Sequence, residues 1–120
     1  MNTANDANLC LFTGRLTKAP LECIKKLPNG NVNLTIGLAV KTPSIDKDGQ
    51  AYERTDYPNL VIWGDIAEEA ALELEKGMLV DVQGQLHTRR WKAEGETQYR
   101  YVTEILVTRI RPKAKAQAAA

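Results

Sequence analysis

The sequence contains few of the residues from which catalytic, metal and disulfide sites are built. Its 120 residues include one histidine and two cysteines, and neither Cys10 nor Cys23 stands near a cluster of acidic or histidine residues. Two cysteines are too few for a disulfide framework, so we expect buried thiols in a reducing compartment, with no metal or other cofactor. The histidine, His87, has no nucleophile or carboxylate pair beside it, so we do not expect an enzyme.

Long hydrophobic runs are also missing. No apolar stretch approaches the length needed to span a membrane, and the first residues, MNTANDAN, lack the basic and apolar regions of a signal peptide. We therefore expect a cytoplasmic protein that makes no contact with membranes. A chain of this length makes one domain and can bury about two thirds of its unfolded surface in a single core.

The first half of the chain consists of apolar segments separated by turn signals. NLCLFTGRL and LECI are strand-like, and the Asn-Gly in LPNGN predicts a tight hairpin before VNLTIGLAV. In that strand Leu34, Ile36, Leu38 and Val40 alternate with small or polar residues, which predicts one core face and one flat outer face. The following segment, KTPSIDKDGQAYERTD, is long and polar and predicts a flexible binding loop.

The second half supplies one helix and three strands. In YPNLVIW, Leu60 and Ile62 share one face, while Tyr57 and Trp63 lie on the other. DIAEEAALELEKG is the one clear helix, with Asp65 as the predicted cap, Glu68 at the capping-box position and Gly77 as the stop.

The last two strands are MLVDVQGQLHTRRW and YRYVTEILVTRI, joined by a hairpin at KAEGETQ. The first alternates strictly, whereas the alternation of the second is too blurred to assign its faces. Three strands, a helix and two strands predict an all-β OB-fold, a five-stranded Greek-key barrel with one short helix between strands 3 and 4. We expect a flexible N-terminus over residues 1–7, the barrel over 8–111 and a disordered basic tail over 112–120.

The stretch QLHTRRW places an indole beside two guanidinium groups on a solvent-facing strand end. Trp91 with Arg89, Arg90 and Lys92 offers both the stacking surface and the positive charge that single-stranded nucleic acid requires. Trp91 could instead pack under its own hairpin or in a subunit contact. Tyr57 and Trp63, which share one face of another strand, favour binding, and Lys41 and Arg54 are further candidates for phosphate contacts.

The sequence also resembles a known family, the bacterial single-stranded DNA-binding proteins. The matching segments are FTGRLTKAP, PNGNVNLTIGLAV, LVIWGDIAEEA, LEKGMLVDVQGQLHTRRW and YVTEILV. They follow in order over residues 8–110, and the run from Lys76 to Trp91 is the most specific. The resemblance implies an OB-fold protein, associated with the nucleoid, that binds and protects single-stranded DNA in replication, recombination and repair without reading its sequence.

The resemblance places the family's base-stacking aromatics on Tyr57, Trp63 and Trp91. A fourth stacking aromatic has no counterpart, because KTPSI offers only Ser44 or Ile45 near its position. The family's usual form is a homotetramer. Because Pro58 stands where a histidine of the subunit contacts is often found, a dimer is kept as the alternative assembly.

The end of the sequence departs from the family pattern. Family members typically finish in a flexible linker and an acidic, hydrophobic-tipped peptide that recruits repair proteins, whereas this sequence ends RIRPKAKAQAAA. We therefore expect that this chain does not recruit repair proteins through an acidic tip. Two explanations fit its basic end: a truncated chain, or a tail-less plasmid, phage or mobile-element form of the family. Two other functions remain open: a primosomal replication-restart OB protein, and an OB module that binds protein or oligosaccharide.

Overall fold

The computed structural model describes residues 6–113. This part of the chain forms seven strands and two helices, namely β1 (Cys10–Leu16), α1 (Pro20–Cys23), β2 (Ile24–Lys26), β3 (Val32–Ile45), β4 (Ala51–Asp56), β5 (Asn59–Trp63), α2 (Gly64–Glu73), β6 (Leu79–Trp91) and β7 (Arg100–Pro112). None of the helices described is long and apolar enough to cross a membrane. The predicted N-terminus and tail fall largely outside residues 6–113, although β7 includes Pro112.

Five of the strands close into a barrel. β6 pairs with β1 on one side and with β7 on the other, β7 runs parallel to β5, β5 pairs with β3, and β3 returns to β1. The helix α2 follows the third barrel strand and precedes the fourth, while β2 and β4 are additional short partners of β3. The predicted OB-fold is therefore confirmed.

The barrel closes over a very short pairing between β1 and β3. Arg15 lies opposite Ala39, and Leu16 lies opposite Leu38. Gly14 allows this approach, because a Cβ there would lie 2.5 Å from the carbonyl oxygen of Ala39. Just beyond the pairing, the Thr17 hydroxyl donates to the Gly37 carbonyl at 3.0 Å, which extends the seam between the two strands.

The core consists of the inward faces that the alternation predicts. The aliphatic side chains on the barrel strands that are at most 5% exposed are Leu16, Leu34, Ile36, Leu38, Leu60, Ile62, Val80, Val82, Ile105 and Val107. Ala67, Ala70 and Leu74 lie on or just after α2 and join the same cluster, so this helix covers one end of the barrel. Val40 is only partly buried, because β3 leaves the barrel at that point.

The predicted flexible loop after residue 40 is wrong. β3 continues to Ile45 and pairs residue by residue with β4, so KTPSIDKDGQAYERTD is a β-hairpin. Asp46 closes its turn by accepting hydrogen bonds from the backbone N–H groups of Asp48 and Gln50. The segment has no apolar face that would indicate a strand, because its pairing depends on backbone hydrogen bonds and turn residues.

Two local predictions are also corrected. LECI does not simply continue a strand: Pro20 begins a single helical turn, where its fixed φ and missing N–H suit the first helical position. The helix α2 begins at Gly64 with Trp63 as its N-cap, and no side chain caps it, so the predicted capping role of Asp65 is wrong.

Candidate nucleic-acid interface

The far ends of β6 and β7 leave the barrel as an exposed hairpin. We call residues 86–103 the arm; all of its β6 residues, 86–91, are exposed. The Asn8 side chain holds its base, because it donates to the Leu86 carbonyl at 2.8 Å and accepts from the Leu86 N–H at 2.7 Å. Farther out, the hydroxyls of Thr88 and Thr103 are 3.0 Å apart. The arm is thus held by backbone pairing and polar contacts rather than by a core.

Trp91 belongs to a short chain of contacts on one face of the arm. Its indole is 40% exposed, and the Arg89 guanidinium carbon lies 5.1 Å from the ring centroid. The Arg89 Nε donates to Glu104 Oε1 at 2.6 Å, and Glu104 is only 7% exposed. Arg89, which the sequence predicts as a phosphate contact, therefore also links the indole to a fixed carboxylate.

Arg90 and Lys92 lie on the opposite face of the arm. Both contact the ring of Tyr99, at 4.3 Å for the guanidinium carbon and 4.8 Å for the ammonium nitrogen. Arg90 is also directly opposite Tyr101. The sequence prediction missed both tyrosines because it left the faces of the last strand unassigned; the alternation Tyr-Arg-Tyr at residues 99–101 was the available signal.

The tip of the arm is fixed by an ion pair between Arg100 and Glu96. The Arg100 Nε lies 3.0 Å from both carboxylate oxygens of Glu96. This hydrogen bonding raises the pKa of Arg100 above its ordinary value. Its charge is locally compensated, unlike that of Arg90.

Trp63 forms one wall of a cleft on the outer face of the barrel. The cleft has a volume of about 480 Å³, and its lining includes side chains of four strands: Asn33, Thr35, Val61, Trp63, His87, Arg89, Glu104 and Leu106. Trp63 is 43% exposed. Arg89 lines this cleft and also contacts Trp91, so the structure brings the two predicted tryptophans to one continuous surface.

Gly64 fixes the direction of Trp63. The chain changes from β5 to α2 within one residue, and Gly64 has a φ of +66°, a conformation that glycine adopts without steric cost. Trp63 remains extended as the last residue of the strand and is at the same time the N-cap of the helix. This backbone geometry ends β5 at Trp63, whose indole lines the cleft.

Tyr57 and Arg54 lie apart from that cleft. They line a second groove at the base of the β3–β4 hairpin, together with Phe12, Thr42 and Pro58 among others. Tyr57 is 65% exposed, and the Arg54 Nε lies 3.1 Å from Asp56 Oδ2. The predicted residues therefore form two groups rather than one.

Lys41 is on the other side of the same hairpin from Arg54. The register places Lys41 opposite Thr55 and Thr42 opposite Arg54, so the two cations point to opposite faces. Lys41 Nζ lies 4.0 Å from Glu53 Oε1, with both side chains well exposed. Because β3 alternates regularly, Lys41 shares its outer face with Thr35, a residue that lines the Trp63 cleft.

An additional aromatic side chain stands on the β3–β4 hairpin. Tyr52 is directly opposite Ser44, one of the two positions where the fourth stacking aromatic of the resembled family is missing. Its ring is about half exposed. The sequence prediction missed it because the run Ala51–Asp56 carries no apolar alternation that would indicate a strand.

Metal chemistry finds no support in residues 6–113, where no group of three histidine, cysteine or acidic side chains is placed to hold an ion. Cys10 and Cys23 are both free thiols of intermediate exposure, more exposed than the sequence predicts, because they pack only at the margin of the core.

Comparison with known proteins agrees with this geometry. A family model described as the single-strand binding protein family matches residues 7–112. Among similar solved structures is a deletion mutant of the single-stranded DNA binding protein from Thermus aquaticus, with a TM-score of 0.77 and 29% identity over 91% of this chain. This chain covers 51% of that protein, about half its length.

A second similar structure is the Plasmodium falciparum SSB in complex with single-stranded DNA. Its TM-score is 0.74, and it is 30% identical over 92% of this chain and 96% of its own. The resemblance drawn from the sequence motifs is confirmed by the family match, which covers nearly all of the described residues. The chain belongs to the single-strand binding protein family.

Proposed function

We propose that the chain binds single-stranded DNA without reading its sequence, by stacking bases on Trp63 and Trp91. The observation that carries this proposal is the continuous surface on which the two indoles are linked through Arg89. Both rings are partly exposed, and exposed aromatic rings are what unpaired bases require for stacking. The single-stranded DNA in the similar Plasmodium complex supports the same ligand.

Phosphate contacts come from cations on several sides of this surface. Arg90 and Lys92 line the opposite face of the arm, and Lys41 lies on the outer face of β3. Arg54 and Tyr57 offer a second groove at the hairpin base, with Tyr52 as an additional stacking candidate. A DNA strand that contacts both the Trp63–Trp91 surface and the groove of Tyr57 must bend around the barrel, because the two sites lie in different grooves.

In the cell, this binding serves to cover and protect single strands during replication, recombination and repair. The chain does so as a homo-oligomer, with a tetramer as the expected form and a dimer as the alternative, in the cytoplasm near the nucleoid. Neither an enzyme activity nor a cofactor is part of this function. Light scattering at micromolar concentration measures the assembly, and a monomeric mass would contradict it.

Titration with oligo-dT at increasing salt tests the proposal. We expect quenching of tryptophan fluorescence and an affinity that falls with salt, by a log–log slope of about 0.7 for each phosphate contact. A duplex of the same length should bind much more weakly, because paired bases cannot stack on the indoles. No binding, or binding that salt leaves unchanged, would contradict the proposal and favour a protein or oligosaccharide ligand.

A further inference from the structure

The cations on the Trp91 face of the arm are already paired with carboxylates. Arg100 is directly opposite Trp91 in the pairing of β6 and β7, so it shares that face with Arg89. Arg89 forms an ion pair with Glu104. Arg100 forms one with Glu96 at the tip of the arm. This face therefore offers a phosphate chain two aromatic or charged contacts but little uncompensated charge.

The opposite side of the arm has no such compensation. We call it the reverse face, and its charged and aromatic side chains are Arg90, Lys92, Tyr99 and Tyr101. Neither of its cations forms an ion pair with an acidic residue within 6–113. The acidic residues of the arm, Glu94 and Glu96, belong to the turn between its two strands. Two like charges held close together repel each other, so the reverse face favours an anion.

Tyr99 gathers the two cations and leaves the second tyrosine uncovered. The Arg90 guanidinium carbon lies 4.3 Å from the Tyr99 ring centroid, and Lys92 Nζ lies 4.8 Å from it. Arg90 is directly opposite Tyr101, yet within residues 6–113 no cation lies over the Tyr101 ring. That side chain is 65% exposed. An exposed ring beside two cations is what a base and its adjoining phosphates require.

The two faces of the arm cannot hold the same nucleotide. Trp91 is opposite Arg100, and Tyr101 is the next residue on β7, so the indole and the phenol ring project to opposite sides of the hairpin. The hairpin backbone lies between them. A base stacked on Tyr101 therefore belongs to a different part of the strand from a base stacked on Trp91.

We propose, on the basis of the single-strand binding function above, that the reverse face is a second contact for single-stranded DNA. Tyr101 stacks a base, and Arg90 and Lys92 bind the adjoining phosphates. The ligand is a further segment of the strand that lies on the Trp63–Trp91 surface, so the DNA contacts the arm from both sides. Tyr101 is a stacking residue, and Tyr99 is a positioning residue for the two cations.

Tyr101→Ala and Tyr101→Phe test the stacking role, with oligo-dT long enough to saturate the tryptophan quenching. We expect Tyr101→Ala to bind at least about fivefold more weakly, the low end for loss of one stacked aromatic. Tyr101→Phe should bind like the unmodified protein, because the ring remains. The quenching at saturation should be the same in all three proteins, because both tryptophans of the chain lie off the reverse face.

Leu86→Ala is the control on the same face. Leu86 is exposed and lies on β6 four residues before Arg90, about 13 Å from it. We expect no measurable loss of affinity. The proposal is overturned if Leu86→Ala or Tyr101→Phe loses as much affinity as Tyr101→Ala, or if Tyr101→Ala binds normally. Smaller quenching at saturation in Tyr101→Ala would also overturn it, because Tyr101 would then act through the Trp91 surface. If the unmodified protein does not bind oligo-dT, the binding function itself fails.

A measurement on the unmodified protein covers the case in which Tyr101→Ala does not fold. Oligomers that carry 5-iodouracil in place of thymine form a covalent adduct, when irradiated, with an aromatic side chain stacked on the base. We expect adducts at Tyr101 as well as at Trp63 and Trp91. Adducts at the tryptophans with none at Tyr101 would overturn the proposal, whereas the absence of any adduct would contradict the binding function.

Discussion

The two halves of β6 have the same alternating sequence pattern but different physical roles. In the barrel half, Val80 and Val82 are at most 2% exposed, whereas Leu86, at the corresponding position in the arm, is 52% exposed. The barrel half has α2 and the facing strands above it, while the arm has solvent on both sides. Alternation therefore indicates which side chains share a face, but it does not indicate whether anything covers that face.

The transition between the halves coincides with an irregularity in the pairing of β6 and β7. The register shifts between Gln83 and Gly84, where β7 contributes the extra residue Thr108. Such bulges bend a strand and increase its local twist. The Thr108 hydroxyl donates to the Gln83 carbonyl at 3.1 Å, which satisfies an acceptor at the interruption. Beyond it the β6 side chains are exposed, and we propose that the arm serves binding rather than stability.

The largest expected effect comes from two substitutions at the point where the barrel passes into the arm. Ile105 and Leu86 are cross-strand partners, but Ile105 is 5% exposed and belongs to the core. Ile105→Ala should lower the free energy of unfolding by about 2–5 kcal/mol, as large-to-small core changes do. Leu86→Ala should lower it by less than about 1 kcal/mol, as exposed changes do. Denaturant unfolding of both proteins checks this; equal losses would remove the distinction between barrel and arm.

The second prediction concerns Trp91, which we expect to affect binding but not stability. Trp91→Ala should weaken oligo-dT binding by about 1–3 kcal/mol, the usual effect of removing one stacked aromatic. Its melting temperature should stay close to that of Leu86→Ala, the matched apolar change on the same arm. Most of the fluorescence quenching should also be lost. An unchanged affinity with a smaller oligomer would mean that Trp91 packs in a subunit contact.

Trp63→Ala tests the second predicted stacking residue, which lies on a barrel strand rather than on the arm. We expect a similar loss of affinity, about 1–3 kcal/mol, because the indole is the wall of the cleft. Trp63 also lies at the junction of β5 and α2, within the barrel rather than on the arm, so we expect a folding defect to accompany the binding defect in this variant. Melting temperature and oligo-dT affinity measured on one sample separate the two effects. Full affinity in a folded Trp63→Ala protein would exclude stacking there.

The barrel was predictable from the sequence because its core is aliphatic and regular. Leu34, Ile36 and Leu38 alternate with small or polar residues without interruption. A half-buried strand is the simple explanation for that pattern. The β3–β4 hairpin was not predictable in the same way. Its pairing leaves both faces largely exposed, so the sequence carries no apolar periodicity, and Asp46 with Gly49 at the turn was the only strong signal.

The candidate site was predictable in its residue types but not in its pairings. Exposed aromatics beside arginines indicated a binding surface, yet nothing in QLHTRRW indicates that Arg89 is bound to Glu104. That contact depends on the register of β7 against β6, and the blurred alternation of β7 does not show which of its side chains share a face with Arg89. Similarly, Lys41 and Arg54 look equivalent along the chain, and only the hairpin register shows that they face opposite ways.

A smaller effect should distinguish the two adjacent arginines of the arm. Arg90→Ala should reduce the log–log salt slope by about 0.7, the contribution of one phosphate contact, because Arg90 lies over Tyr99 and forms no ion pair with an acidic residue within 6–113. Arg89→Ala should weaken binding by more than the loss of one phosphate contact, as measured by the change in its salt slope. The additional loss is expected because the substitution leaves Glu104 unpaired and removes the cation beside the Trp91 indole. Equal slopes and equal affinities for the two variants would mean that Arg89 is only another phosphate contact.

The smallest effect should follow removal of residues 114–120. The barrel pairing ends with Pro112 opposite Val80, and the Lys113 N–H donates to the Leu79 carbonyl at 2.9 Å, so a chain ending at Lys113 keeps these contacts. Its melting temperature and oligomer mass should therefore be unchanged.

The removed segment, AKAQAAA, carries one positive charge, Lys115, so the salt slope should fall by at most about 0.7 and the affinity should differ only at low salt. Lys115→Ala in the full chain is the matched control and should reproduce the whole effect; a larger loss on truncation would show that the segment contributes more than its charge.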